Sequence, residues 1–336
     1  MAYRMAWIGV AALTLLPPIA AGDRPTHLEY SHKIGFDWKA DSNQWMNFVA
    51  FGPDGTTVAA NGNIAGAMPG QMGIWSFPGG QFLRRVGSAR PLAISADFRY
   101  VATGSGVFEL QTGKPVLRTP PHAGCTQAAS TSTGEEVALA ADGPIAEGGR
   151  GQISVLKTSD GSMVASFGAR RVSALAIHPD NRTLAAGQWN SVVLWDMRAG
   201  QRSGLLDGFD LNVYGIGFSR DGRFLAAGTE NGQPQIWDVV KRTRRHTLQI
   251  GIGDVSTPAF SPDGKLVAAG TYADGTLSLI DVSTGKVLAQ IQVSMYGCGS
   301  VAFSPDGQYL AVPSNPGLVG RRYQGGGSIQ VFRVAN

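Results

Sequence analysis

The chain has 336 residues, and 46 of them are glycine, about twice the usual share for a globular protein. Charged residues make up 15% and hydrophobic residues 43%, which excludes charge-driven disorder, a long helical rod and, without a Gly-X-Y period, collagen. Lys and Arg number 28 against 24 Asp and Glu, a formal charge of +4 that is scattered along the chain, so no nucleic-acid partner is expected.

Residues 1–22 read as a secretory signal peptide. Arg4 supplies the positive start, and residues 5–16 form an apolar run too short to span a bilayer comfortably. Pro17 and Pro18 break any helix, and Ile19-Ala20-Ala21 offers small residues for cleavage near Ala21. An uncleaved membrane anchor is the competing reading. The expectation is an exported protein, periplasmic or secreted, with residues 23–336 as a single domain. No later segment is long and apolar enough to span, so no stable membrane insertion is expected after cleavage.

A β-like stretch follows at His27-Leu28-Glu29-Tyr30-Ser31-His32-Lys33-Ile34. Then a turn recurs. It is Phe51-Gly52-Pro53-Asp54-Gly55 first, degenerate at Ile94-Ser95-Ala96-Asp97, and weakest at Ser130-Thr131-Ser132-Thr133-Gly134. It returns at Ile177-His178-Pro179-Asp180-Asn181, Phe218-Ser219-Arg220-Asp221-Gly222, Phe260-Ser261-Pro262-Asp263-Gly264 and Phe303-Ser304-Pro305-Asp306-Gly307. The turn positions 54, 97, 133, 180, 221, 263 and 306 lie 36 to 47 residues apart, near the roughly 40–45 expected of propeller blades. Proline presets φ, aspartate bonds the turn backbone, and glycine takes the positive φ.

Strand a precedes each turn, with apolar residues three and five positions before the aspartate. A small residue stands between them in every copy: Ala50, Ala93, Ala129, Ala176, Gly217, Ala259 and Ala302. Innermost strands crowding a central channel require such residues. Strand b follows the turn, and strand c ends in pairs such as Ile74-Trp75, Trp195-Asp196 and Trp237-Asp238. The seventh copy stops after strand c, so the stretch before the first copy is expected to supply its outer strand and close the ring.

With Trp195-Asp196 and Trp237-Asp238 as its best dipeptides, the chain from about residue 25 onward resembles the WD40-repeat family of β-propellers, of an exported bacterial type. The fold class expected is all-β: a seven-bladed β-propeller of four-stranded antiparallel blades, closed by an N-terminal strand in the last blade. The Gly-His that often precedes strand a in that family is missing, so its Asp-His-Ser/Thr-Trp hydrogen-bond tetrad is absent or incomplete.

Function is expected where the copies differ. Blades one, three and seven carry long b–c loops, at residues 61–72, 141–150 and 314–327, which stand around a shortened blade two. Asn61 and Asn63 open the first loop. Arg321, Arg322 and Tyr323 sit between glycines in the last, a combination suited to a carboxylate or acidic peptide. A second set lies seven residues before each turn, at the channel mouth; it includes Asn47, Arg90 and Tyr214. In WD40-like proteins that face commonly binds peptides, so the resemblance points to Arg90 and Tyr214. Solvated loops and ordinary rim polarity are the competing readings.

The turn aspartates recur with the fold and belong to turns. No nucleophile elbow, His-Glu-x-x-His or Walker loop is present, and the five histidines form no ligand set. No catalytic residue, metal ligand or cofactor is assigned. Cys125 and Cys298 occupy equivalent sites in non-adjacent blades, so they are expected as free thiols rather than a disulfide. Lys241, Arg242, Arg244, Arg245 and His246 form a basic cluster near the c–d turn of blade five, open to a polyanion or simply solvated. The function expected is a non-catalytic, monomeric binder of a protein or peptide. The alternative is a propeller hydrolase or lactonase with a metal at the channel mouth, drawing on carboxylates such as Glu230, Asp254 and Asp274.

Overall fold

A computed structural model describes residues 27–35, 48–61, 72–86, 91–118, 125–141, 150–294, 297–314, 317–319, 322–324 and 328–335. Residues 1–26 and most of the three long loops lie outside them.

Seven antiparallel four-stranded sheets follow one another along the chain. They span 49–86, 91–118, 125–170, 172–207, 213–247, 259–292 and 302–335, and the last sheet takes 27–35 as its outer strand. Strand His27–Gly35 pairs antiparallel with Ser328–Ala335, from His27 against Ala335 to Gly35 against Ser328. The ring therefore closes as the missing seventh strand d predicts. The a–b and c–d turns share one face, here the turn face. The b–c and d–a connections share the other, here the loop face.

The recurring turn is held by a hydroxyl that the proline–aspartate–glycine logic leaves out. Ser219, Ser261 and Ser304 are buried. Each donates its Oγ–H to the turn aspartate Oδ1, at 2.6, 2.6 and 2.5 Å, and each accepts the N–H of the first strand-b residue, at 2.9, 3.0 and 2.9 Å. The aspartate then accepts the N–H two residues on, at 3.0 to 3.1 Å. Ser95 and Asp97 repeat this in blade two, and Thr131 Oγ1 takes the Glu136 N–H in blade three. His178 takes the serine place in blade four: its Nδ1 accepts the Asp180 N–H at 3.1 Å, and its Nε2 lies 2.9 Å from the Gly222 carbonyl oxygen of blade five.

The apolar side chains form seven layers, one between each pair of neighbouring blades. Phe51, Trp75, Ile329 and Val331 join blades one and seven. Leu194, Ile216 and Trp237 join four and five, and Ala226, Val267 and Ile280 join five and six. The remaining pairs are joined in the same way. Inner strands come close enough to restrict residue size. At Gly217, where six copies have alanine, a Cβ would stand 2.6 Å from the Pro258 carbonyl oxygen of blade six.

The hydrogen-bond tetrad is not formed around the two tryptophan–aspartate pairs. Among the described residues Trp195 Nε1 has no partner, and Trp237 Nε1 donates to Gln235 of its own strand. Asp196 is held instead by Arg182, at 2.7 and 2.9 Å, which lowers its carboxyl to about 2. Arg198 of blade four reaches Glu136 of blade three at 2.7 Å.

Both cysteines are free. Cys298 is wholly buried with its Sγ against Gly270, and burial raises both thiols. The basic cluster is spent largely on neighbouring blades. Arg242 and Arg244 donate to the carbonyls of Ser203 and Gly208 in blade four. Arg245 donates to the Ser283 carbonyl oxygen of blade six, and His246 Nε2 lies 3.3 Å from the same atom.

Replacing Ser304 by alanine leaves the Tyr309 N–H and Asp306 without their partner and should cost about 1–2 kcal/mol in urea unfolding. Replacing Gly217 by alanine should cost about 1–3 kcal/mol by overpacking against blade six. An unchanged midpoint for Gly217→Ala would mean the inner strands are not packed at that distance.

Candidate functional site

Strand b of blade four (Thr183–Gln188) meets strand c (Ser191–Asp196) through a two-residue hairpin, Trp189-Asn190, with Gln188 paired to Ser191. Such a hairpin favours positive φ in its loop, usually from Asn or Gly. Here Trp189 takes it, with φ +48°. Its carbonyl oxygen accepts the Val213 N–H at 2.7 Å, which ties the hairpin to strand a of blade five. The residue is left 55% exposed. Arg171, also at positive φ (+42°), lays its guanidinium over that ring, 5.2 Å from the centroid.

Tyr214 stands next to this pair. Strand a of blade five (Val213–Phe218) shifts register between Val213 and Gly215, so Tyr214 is the extra residue of a β-bulge. Thr126 and Ser173, at the same repeat position, sit on equivalent bulges. Ser173 uses its hydroxyl on the carbonyls of Gly187 and Val213. The longer Tyr214 reaches out over the face, and its hydroxyl donates to Glu230 Oε1 at 3.0 Å. Asn212 Nδ2 donates to the same oxygen at 2.5 Å. Glu230 begins the one-turn 3-10 segment Glu230–Gly232 in the b–c connection of blade five.

Trp189 and Asn212 separate two hollows. The larger, about 650 Å³, is bounded also by Asn190, Asp210 and Glu230. The smaller, about 170 Å³, is bounded also by Arg171, Ser173 and Tyr214. Asp254 lies behind, in the d–a connection. Burial raises its carboxyl, and the Glu230 charge adds to the rise. The Tyr214 phenol is raised by burial, by its bond to Glu230 and by both carboxylate charges.

Of the residues singled out in the sequence as binding candidates, Tyr214 is the one placed here, and it meets Glu230 and Asp254, two of the carboxylates considered for the alternative metal site. Asn61 is 4% exposed, and its Oδ1 accepts the Phe48 N–H at 2.9 Å, so it acts as a structural link at the end of strand b. Arg322 and Tyr323 fall on the short strand Arg322–Gln324, paired with Gly317–Val319; their side chains lie outside the description. Asn47, Asn63, Arg90 and Arg321 lie outside the described residues. Asp274, one of the carboxylates considered for a metal, is tied into its own loop by Thr271 and Thr276 and to the preceding d–a connection by the Ile252 N–H. Among the described residues no group of three His, Cys, Asp or Glu side chains is placed to hold a metal ion. Trp189 is not among the sequence candidates; its one mark is a bulky aromatic where a hairpin favours Asn or Gly.

The WD domain, G-beta repeat pattern of the WD40 family matches residues 158–196, 200–238 and 242–281. Each match takes the outer strand of one blade and the first three of the next, the same stagger that leaves the last blade to be completed from the N-terminal side. The WD repeat-containing protein SL1-17 of Schistosoma mansoni is 32% identical over 152 residues, 44% of this chain and 50% of that protein. The Protein LST8 homolog of Drosophila melanogaster is 29% identical over 154 residues, 44% of this chain and 48% of that protein. Target of rapamycin complex subunit LST8 of Rattus norvegicus is 24% identical over 151 residues, 44% of this chain and 46% of that protein. The chain thus spans about half the length of these relatives. With three such repeats inside a closed ring of seven blades, the chain is a seven-bladed β-propeller that carries WD40 repeats.

Proposed function

We propose that this propeller is an exported, non-catalytic module that binds a protein or peptide on its loop face. Trp189 carries the reading. A non-glycine residue at positive φ costs of order 1–2 kcal/mol, and here that cost leaves a large aromatic side chain in water beside a hollow. Tyr214, 40% exposed, extends the aromatic surface onto blade five. Tyrosine and tryptophan combine large contact area with little loss of side-chain freedom, which suits a docking surface. The rat relative is a complex subunit by name, which fits a propeller that works by docking. Export rests on residues 1–22, with their positive start, short apolar run and small residues before the cleavage point. The mature chain from residue 23 is then one domain, monomeric and without a cofactor.

A random peptide library displayed on phage, panned on the mature protein, should enrich binders that are lost on both Trp189→Ala and Tyr214→Ala. Enrichment untouched by either variant would move the binding surface elsewhere. Mass spectrometry of the protein from a secreting bacterial host should find an N terminus near Gly22. Retention of residue 1 on cytoplasmic protein would refute export.

A further inference from the structure

The larger hollow has a one-sided chemistry. Its wall is the exposed Trp189 indole, and its charged groups are the carboxylates of Asp210 and Glu230. No lysine, arginine or histidine is among the described residues that bound it. Both bonds made by Glu230 fall on Oε1, from Tyr214 and Asn212. Its Oε2 accepts none among the described residues. Neither Glu230 nor Asp254 has an ion-pair partner among those residues, although the two are close enough for their charges to oppose each other. Asp210 is 85% exposed at its side chain, with Arg244 at 3.7 Å, a distance that leaves its charge largely open to solvent and to a partner.

The smaller hollow, which Trp189 also bounds, shows what the indole accepts. There Arg171 already places a guanidinium over the ring, at 5.2 Å from the centroid. A cation over an indole face is held by the ring quadrupole, and the stem of a lysine or arginine covers apolar surface while its head stays polar. The larger hollow thus pairs Trp189 with the carboxylate of Glu230, which has no cation of its own among the described residues, and with that of Asp210, whose contact to Arg244 is long and exposed.

We infer that the hollow between blades four and five seats a lysine or arginine side chain from a partner segment, its stem along Trp189 and its charged head on Glu230, with Asp210 at the rim. The inference deepens the peptide-docking reading and rests on it. Positive charge on the partner also complements the acids that surround the site, which favours encounter as well as fit.

Peptides that differ only at one central residue, Lys, Arg, norleucine, Gln or Glu in an otherwise glycine–serine sequence, test it. The readout is the indole N–H resonance of Trp189 in the mature protein, assigned with Trp189→Phe and followed during titration to millimolar peptide. The Lys and Arg peptides should move that resonance saturably, and added salt should weaken the effect. Glu230→Gln, which keeps an Oε1 for Tyr214 and Asn212, should weaken the Lys peptide about tenfold, a change of about 1.4 kcal/mol. If the norleucine, Gln or Glu peptide moves the resonance as far as the Lys peptide, or if Glu230→Gln leaves the Lys peptide unchanged, the cationic assignment is wrong while peptide docking stands. If no peptide of any charge moves it, the inference falls; loss of the panned binders on Trp189→Ala then decides separately whether the face itself docks peptides.

Discussion

A four-stranded blade of this size has no core of its own. Its apolar side chains lie on two faces, and each face is covered only by the next blade. The seven layers between blades are therefore one linked requirement: leaving any layer open exposes the faces on both sides of the gap. Ring closure follows from this, because an open series of blades would leave two uncovered faces and two strand edges. Small residues on the inner strands follow as well, since seven sheets must converge. At Gly217 the neighbouring carbonyl leaves no room even for a methyl group.

The turns add the second constraint, the angle at which strand a hands over to strand b. A buried serine hydroxyl bonds the aspartate and the returning strand together, so the handover is fixed at both ends. Where the serine is replaced, its bond is redistributed: Thr131 takes the strand-b N–H in blade three, whereas in blade four Asp180 takes that of Thr183 and the histidine is free to bond elsewhere. His178 holds its own turn with one ring nitrogen and lies within hydrogen-bond distance of the next blade with the other. Side chains on the rim do related work. Arg242, Arg244 and Arg245 reach carbonyls of blades four and six, so charge that looks free in the sequence contributes to lateral cohesion. The tetrad around the tryptophans is missing, and ion pairs such as Arg182–Asp196 and Arg198–Glu136 stand near the positions it would otherwise support.

Architecture was legible because repetition exposes it. Proline, aspartate and glycine recur at one spacing, and the absent last strand pointed to its substitute at residues 27–35. The site was less legible, because its parts obey no repeat. Tyr214 could be picked by its distance from the turn at Asp221, but the bulge that turns it outward is a register effect. Glu230 and Asp254 were visible as carboxylates, whereas their proximity depends on two connections from different parts of blade five. Trp189 sits in a hairpin too short to draw notice when long loops are taken as the mark of function, and positive φ at a tryptophan leaves no trace in the sequence. Asn61 is legible only as a polar residue at a loop entrance, whereas the bond from its side-chain oxygen to the Phe48 N–H depends on the pairing of strands a and b.

Strand His27–Gly35 enters the ring from the turn face, because His27 pairs with Ala335 at the end of the last strand c and Gly35 lies toward the loops. Both ends of the folded ring thus leave on the side away from Trp189, Tyr214 and Glu230. A chain tethered by either end, to a surface or to another protein, would hold its loop face outward, and anything attached there could be lengthened or exchanged without covering that face.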